Sequence, residues 1–147
     1  MLNLIKEFRT RMKPEEPPPT ALIVDDEESV RRFVERVLHE AGYQTALAGD
    51  GPEALELAQK LGSFEVLVTD VTMPQMSGDE LARRLRQNEP GLKVLYLTGY
   101  SDRLFKDKVT LWADEAFLEK PCSIGALKEA VALLLFGRVD GTPTPAA

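Results

Sequence analysis

The chain has little of several residue types whose abundance would mark whole classes of protein. It contains one cysteine, Cys122, so it cannot form an internal disulfide, and we expect a cytoplasmic protein. The one histidine, His39, lies off the apolar face of its predicted helix and is interpreted as a solvated surface residue. No apolar run approaches the roughly 18 residues of a transmembrane segment, and the amino terminus lacks the pattern of a signal peptide.

Basic residues are also in deficit. The 147 residues include 18 Lys and Arg against 24 Asp and Glu, which gives a formal net charge of -6. Direct binding to nucleic acid is therefore not expected, because phosphate contacts require a basic face. The length is that of one domain, large enough to bury an ordinary core.

Composition divides the chain into three parts. Residues 1–19 are a leader and a proline-rich spacer, residues 20–136 a folded domain, and residues 137–147 a flexible tail rich in Gly, Pro and Thr. We interpret residues 1–13 as a frayed leader, because so short a helix is marginal alone. The alternative is a basic amphipathic helix that contacts a membrane surface or a partner, since apolar residues recur there at helical spacing.

From Thr20 onward, predicted strands and helices alternate, which is typical of a parallel sheet with crossover helices. Apolar runs predict strands over residues 21–26, 44–48, 66–70, 94–98 and 117–121. Apolar residues at helical spacing predict five helices: one ending at Gly42, one opened by Asp50-Gly51-Pro52, one ending before Pro90, one over 103–112, and one capped by Ser123.

Polar side chains stand at the ends of four predicted strands, and ligands of open α/β sheets bind at that edge. They are Asp25, Asp26, Asp70, Thr98 and Lys120. Carboxylates are ligands for Mg²⁺ and nucleophiles that form aspartyl phosphates, while an ammonium and a hydroxyl can neutralise phosphoryl oxygens. The structural alternative is that these residues start turns or cap helices, with Asp26 as a cap. Five such residues at successive strand ends favour a phosphoryl-transfer site.

At these residues the chain resembles the CheY-like receiver domain of two-component response regulators, over residues 20–136. The resemblance rests on the Asp25-Asp26 pair, the Asp70-Val-Thr-Met-Pro74 run with Ser77-Gly78, Thr98-Gly99, and Lys120-Pro121. It implies an α/β fold in three layers, with a doubly wound, five-stranded parallel sheet in the flavodoxin-like order 2-1-3-4-5.

The resemblance also implies the metal and the phosphoacceptor. Asp70 accepts the phosphoryl group, and Mg²⁺ is held by Asp25, Asp26, Asp70 and the main-chain carbonyl of Thr72. Lys120 pairs with the acyl phosphate, and the Lys120-Pro121 bond is usually cis in this family.

A conformational switch is implied by the same resemblance. Thr98 is the switch hydroxyl, Phe117 the switch aromatic, and Thr72 and Tyr100 occupy positions that tune the lifetime of the phosphoryl group. The chain departs from the family at residues 113–115, where Ala-Asp-Glu replaces the frequent Gly-Ala, and at Cys122, where a large apolar residue is frequent.

The implied phosphodonor is a histidine kinase or a phosphotransfer protein. Transfer to Asp70 and its hydrolysis are self-catalysed and are the only enzymatic acts implied. The switch changes contacts on the face made by the fourth helix, fifth strand and fifth helix, towards an output protein that the sequence does not name. A phosphorylation-dependent homodimer also stays open.

Three alternatives stay open. The chain can be a receiver of a hybrid kinase or phosphorelay, because the Leu97–Ser101 run resembles receivers attached to sensor kinases. It can be a pseudo-receiver that binds partners without phosphorylation, although every expected site residue is present. A phosphatase of the haloacid dehalogenase type is disfavoured, because that family has a second Asp where this chain has Thr72.

Overall fold

The computed structural model describes residues 17–99 and 114–137. The predicted helix over 103–112, the leader up to residue 16 and the tail after residue 137 lie outside the described residues. The strands are β1 Thr20–Val24, β2 Gln44–Ala48, β3 Val66–Asp70, β4 Lys93–Thr98 and β5 Glu115–Glu119. The helices in this part of the chain are α1 Glu28–Glu40, α2 Gly51–Leu61, α3 Gly78–Leu85 and α4 Ile124–Phe136.

The strands form one parallel sheet in the order β2-β1-β3-β4-β5. This confirms the predicted doubly wound fold. β2 and β3 have the predicted bounds, whereas β1 and β5 both begin and end earlier than predicted. As a result, Asp25 and Lys120 lie just beyond their strands rather than within them.

Two hydrophobic layers enclose the sheet, one on each face. In β1, Ala21 and Ile23 pack in the layer that contains α1 and α4, whereas Leu22 and Val24 pack with α2 and α3. Strands buried on both faces read as continuous apolar runs, which is why β1, β3 and β4 were recognisable in the sequence. None of the helices within residues 17–99 and 114–137 is long and apolar enough to span a membrane.

Side-chain hydrogen bonds cap the starts of three helices. Side-chain oxygens of Asp50, Ser77 and Ser123 accept hydrogen bonds from main-chain N–H groups at the starts of α2, α3 and α4. The predicted cap at Ser123 is therefore present. The alternative that Asp26 caps α1 is wrong: Glu27 holds the capping position and makes no side-chain cap.

A buried polar network ties α3 to β4 and β5 near the amino ends of the strands. Arg86 Nη1 donates to Glu115 Oε2 at 2.5 Å, and the Tyr96 hydroxyl donates to the same oxygen at 3.1 Å. Arg86 also donates to the Leu92 carbonyl oxygen from Nε and Nη2. The Glu115 side chain is only 5% exposed. Burial, and next the Glu115 carboxylate, raise the pKa of Tyr96.

We predict that Arg86→Met lowers the free energy of unfolding by about 3 kcal/mol, because it leaves the buried Glu115 carboxylate without its cationic partner. Urea denaturation at pH 7 measures this loss. Arg83→Met is the matched control, since Arg83 pairs with Glu80 on the surface and its side chain is 66% exposed. We expect the control to change stability by less than about 0.5 kcal/mol. Equal losses in the two variants would contradict the role given to the network.

Candidate functional site

Four strands bring the predicted site residues to one edge of the sheet. Asp70 and Thr98 are the last residues of β3 and β4, while Asp25 and Lys120 directly follow β1 and β5. Asp25, Asp70 and Thr98 are buried, with exposures of 1%, 5% and 0%. Buried polar groups require hydrogen-bonding or charged partners, so the contacts of these three side chains indicate the chemistry of the site.

The three carboxylates converge on one point. One ligand oxygen from each of Asp25, Asp26 and Asp70 lies within 4.8 Å of the others. Lys120 Nζ lies 3.4 Å from Asp25 Oδ2 and 3.3 Å from Asp70 Oδ2, so one ammonium serves both buried carboxylates.

Electrostatics at this edge reflect an excess of negative charge. Burial raises the pKa of Asp25, opposed by the Glu27 N–H and Lys120, while the neighbouring Asp26 adds to the rise. Burial alone would lower the pKa of Lys120, but Asp25 and Asp70 together raise it. The cluster sets three carboxylates against the single Lys120 ammonium. This oxygen-only donor set fits a hard divalent cation.

Thr98 and Phe117 occupy neighbouring strands, but in different environments. The Thr98 hydroxyl donates to the Leu118 carbonyl oxygen at 3.3 Å, and the Thr98 carbonyl accepts from the Lys120 N–H at 2.7 Å. Phe117 is 38% exposed on β5. The Lys120-Pro121 peptide bond is cis. The backbone of Lys120 is therefore hydrogen-bonded directly to Thr98, the last residue of β4.

Sequence reasoning missed two residues that support Asp25. The Glu27 N–H donates to Asp25 Oδ1 at 2.9 Å, and the Glu27 carboxylate lies 3.9 Å from Lys120 Nζ. Arg31 Nη1 donates to the Asp25 main-chain carbonyl at 2.7 Å. The run of four acidic residues from 25 to 28 was a signal for Glu27, whereas nothing in the local pattern indicated Arg31.

Gly78 lets α3 begin directly against the backbone of Asp70. A Cβ atom added at Gly78 would lie 2.1 Å from the Asp70 carbonyl oxygen, far inside van der Waals contact. The Gly78 N–H donates to the Val71 carbonyl at 2.8 Å. The Ser77-Gly78 pair was noticed in the sequence, but its steric reason is visible only once the loop after β3 is in place.

A cavity of about 550 Å³ opens beside the carboxylates. Thr72 is exposed and lines it, whereas the lifetime-tuning role predicted for Tyr100 falls outside the described residues. Cys122 also lines the cavity; burial raises the pKa of its thiol, and Lys120 only partly offsets this effect. The remaining lining residues include Asp26, Glu27, Ser29, Val30, Phe33, Val34, Asp70, Leu97, Gly99, Lys120 and Pro121.

Parallel strands in this order, with an acidic cluster and a lysine at their carboxyl ends, define a receiver-type α/β domain. The family model for the response regulator receiver domain matches residues 21–132. The chain therefore belongs to the response regulator receiver domain family.

Known relatives include proteins of quite different length. The chain is 38% identical over 117 residues to the sensor kinase CckA of Brucella abortus, covering 79% of this chain but 12% of that kinase. It is 32% identical over 114 residues to the response regulator receiver protein CpdR of the same organism, covering 78% of this chain and 94% of CpdR. Among solved structures, the chemotaxis response regulator CheY4 of Vibrio cholerae superposes with a TM-score of 0.71 at 32% identity, covering 80% of this chain and 99% of CheY4.

Gly78→Ala tests the close approach of α3 to Asp70. We predict a loss of about 1–3 kcal/mol in the free energy of unfolding, because the added methyl group must displace backbone. Gly91→Ala is the control, since nothing lies within 4 Å of a Cβ added there, and it should change stability by less than about 0.5 kcal/mol. A neutral Gly78→Ala in urea denaturation would show that the loop yields without cost.

Asp25→Asn tests the excess negative charge. In the absence of divalent cations at pH 7, we predict that it raises the free energy of unfolding by about 1 kcal/mol, because it removes a buried charge. The amide oxygen of Asn can still accept from the Glu27 N–H. Asp26→Asn, at an exposed position, should have a smaller effect. Destabilisation by Asp25→Asn would indicate instead that its contact with Lys120 outweighs desolvation and repulsion.

Proposed function

We propose that this chain is a phosphoacceptor in a two-component or phosphorelay system, with Asp70 accepting a phosphoryl group from a phosphohistidine of a histidine kinase or phosphotransfer protein. The observation that carries the proposal is the position of the Asp70 carboxylate, 3.3 Å from Lys120 Nζ and within 4.8 Å of two other carboxylates. Its relatives, a sensor kinase and a receiver protein by name, support the same chemistry.

Each site residue has a separate role in the proposed phosphoryl transfer. An Asp70 carboxylate oxygen attacks phosphorus as the bond from phosphorus to the donor imidazole nitrogen breaks, and the electron pair leaves with that nitrogen. Lys120, already beside Asp70, pairs with the acyl phosphate. Asp25, Asp26, Asp70 and the main-chain carbonyl of Thr72 would hold Mg²⁺, which would supply positive charge for the phosphoryl oxygens.

Phosphorylation of Asp70 then acts on the switch. The Thr98 hydroxyl leaves the Leu118 carbonyl, to which it donates at 3.3 Å, and turns to the phosphoryl group. Phe117 follows into the space that Thr98 vacates. A new dianion thereby biases the face made by the predicted helix over 103–112, β5 and α4 towards one of two arrangements. That face gains or loses an output protein or a second copy of the chain, in the cytoplasm.

A place within a hybrid-kinase phosphorelay is the second candidate. It is favoured by the 38% identity to part of the sensor kinase CckA. The chemistry at Asp70 is the same in both cases, and the phosphodonor distinguishes them. The pseudo-receiver alternative predicts partner binding without any transfer to Asp70.

The proposal is tested by intact mass after incubation with Mg²⁺ and acetyl phosphate. We expect one phosphoryl group on the wild type and none on Asp70→Asn. A pulse of beryllofluoride follows if neither gains mass, because a stable complex would indicate rapid hydrolysis. Absence of both the adduct and the beryllofluoride complex would make the chain a pseudo-receiver and overturn the proposal.

Mg²⁺ binding can be measured separately, through its effect on the free energy of unfolding. At a concentration one hundred times its dissociation constant, Mg²⁺ should raise the free energy of unfolding of the wild type by about 2.7 kcal/mol. Asp25→Asn should lose most of this gain, because it removes a ligand from the acidic cluster. Urea denaturation with and without Mg²⁺ measures both, with Asp50→Asn as a control at a carboxylate that caps α2. Equal gains in wild type and Asp25→Asn would place the cation elsewhere.

A further inference from the structure

The outer side of α4 is more apolar than that of α1. Leu133 is 49% exposed. Ala126, seven residues before it, and Phe136, three after it, are partly exposed on the same side, and Phe136 also packs against the core. These three residues are the α4 stripe. The exposed positions of α1, in contrast, are all polar. Contact of these apolar side chains with water costs free energy, so burying the α4 stripe against another apolar surface would be favourable.

Residues 1–13 have the complementary composition. Their apolar residues recur at helical spacing, and they hold four of the 18 basic residues and one of the 24 acidic residues of the chain. Basic residues therefore stand beside the apolar ones, while the rest of the chain is strongly acidic. The α4 stripe contains one charged neighbour on its exposed side, Glu129. Apolar contact and charge both favour this segment as the occupant.

The chain between residues 1–13 and β1 is long enough for residues 1–13 to reach the α4 stripe. Pro19 is anchored where the strands begin, because its carbonyl accepts from the Gln44 N–H at 2.9 Å. α4 follows β5 and returns towards that same edge of the sheet, packed on β4, β5 and α1. A six-residue segment, the length from Pro14 to Pro19, can span at most about 20 Å. β4, under α4, lies two strands from β1, or roughly 10 Å away, and a packed layer adds roughly another 10 Å.

We propose that residues 1–13 dock through their apolar side on the α4 stripe of their own chain. The ten residues after Gly137 suit this role less well, since Val139 is their one large apolar side chain. Docking does not require phosphorylation of Asp70. It makes the segment an intramolecular competitor for any protein that binds the outer side of α4.

The test is a disulfide between engineered thiols in full-length protein that carries Cys122→Ser. One variant combines Arg9→Cys with Glu129→Cys, which places thiols beside the two apolar sides. It keeps the apolar residues of both and removes one charge from each, so it tests the apolar contact. The control combines Arg9→Cys with Glu56→Cys, an exposed glutamate of α2 on the opposite face of the sheet. A flexible tether alone gives both pairs similar effective concentrations in the millimolar range. Equilibration with glutathione measures each effective concentration.

We expect the first pair to exceed the control by about ten-fold or more, in a product with the mass of one chain. Addition of Leu133→Asp should bring the first pair down to the control value, and Leu133 is exposed enough for the domain to tolerate the change. Similar values for the two pairs would overturn the proposal. A disulfide between two chains would also overturn it and assign the α4 stripe to a second copy.

Discussion

The shared contact of Lys120 with Asp25 and Asp70 is the interaction on which the rest of the site depends. Two buried carboxylates lie close enough to share one ammonium, at 3.4 Å and 3.3 Å, and a third carboxylate stands beside them. Such a cluster is costly without a cation. It persists because hydrogen-bonded strands, rather than the side chains themselves, set the positions of these residues. The free energy gained by folding the sheet thus offsets the cost of holding these carboxylates close together.

Strand order explains why the pocket lies where it does. β1 and β3 are neighbours in the sheet although β2 separates them in sequence, so the chain leaves β1 in one direction and resumes on its other side. Helices α1 and α3 consequently depart towards opposite faces, and a crevice opens between them. Asp25 and Asp70 stand on its two walls. On the Asp70 side, Gly78 lets α3 begin against the Asp70 carbonyl. On the Asp25 side, Arg31 donates a hydrogen bond to the Asp25 carbonyl.

The fold and most of the site were predictable because buried parallel strands produce apolar runs, and polar residues after such runs meet at one edge. That reasoning placed Asp25, Asp70, Thr98 and Lys120 together, and it located β2 and β3 correctly. Contacts between distant residues leave no comparable local pattern. The Arg86–Glu115 pair spans 29 positions in the chain. The alternative of an Asp26 cap was wrong, because Glu27 holds the capping position of α1 and its N–H donates to Asp25.

The two ends of the molecule meet different physical demands. At the carboxyl ends of the strands, the clustered carboxylates favour a cation over any apolar partner. On α4, an apolar outer side favours contact with protein, and its exposure to water costs free energy in proportion to the area left uncovered. A helix whose inner side is already committed to β4, β5 and α1 cannot rotate to hide that surface. Any segment or partner that covers this surface gains the free energy of burying it, and a competing protein must bind strongly enough to replace that contact.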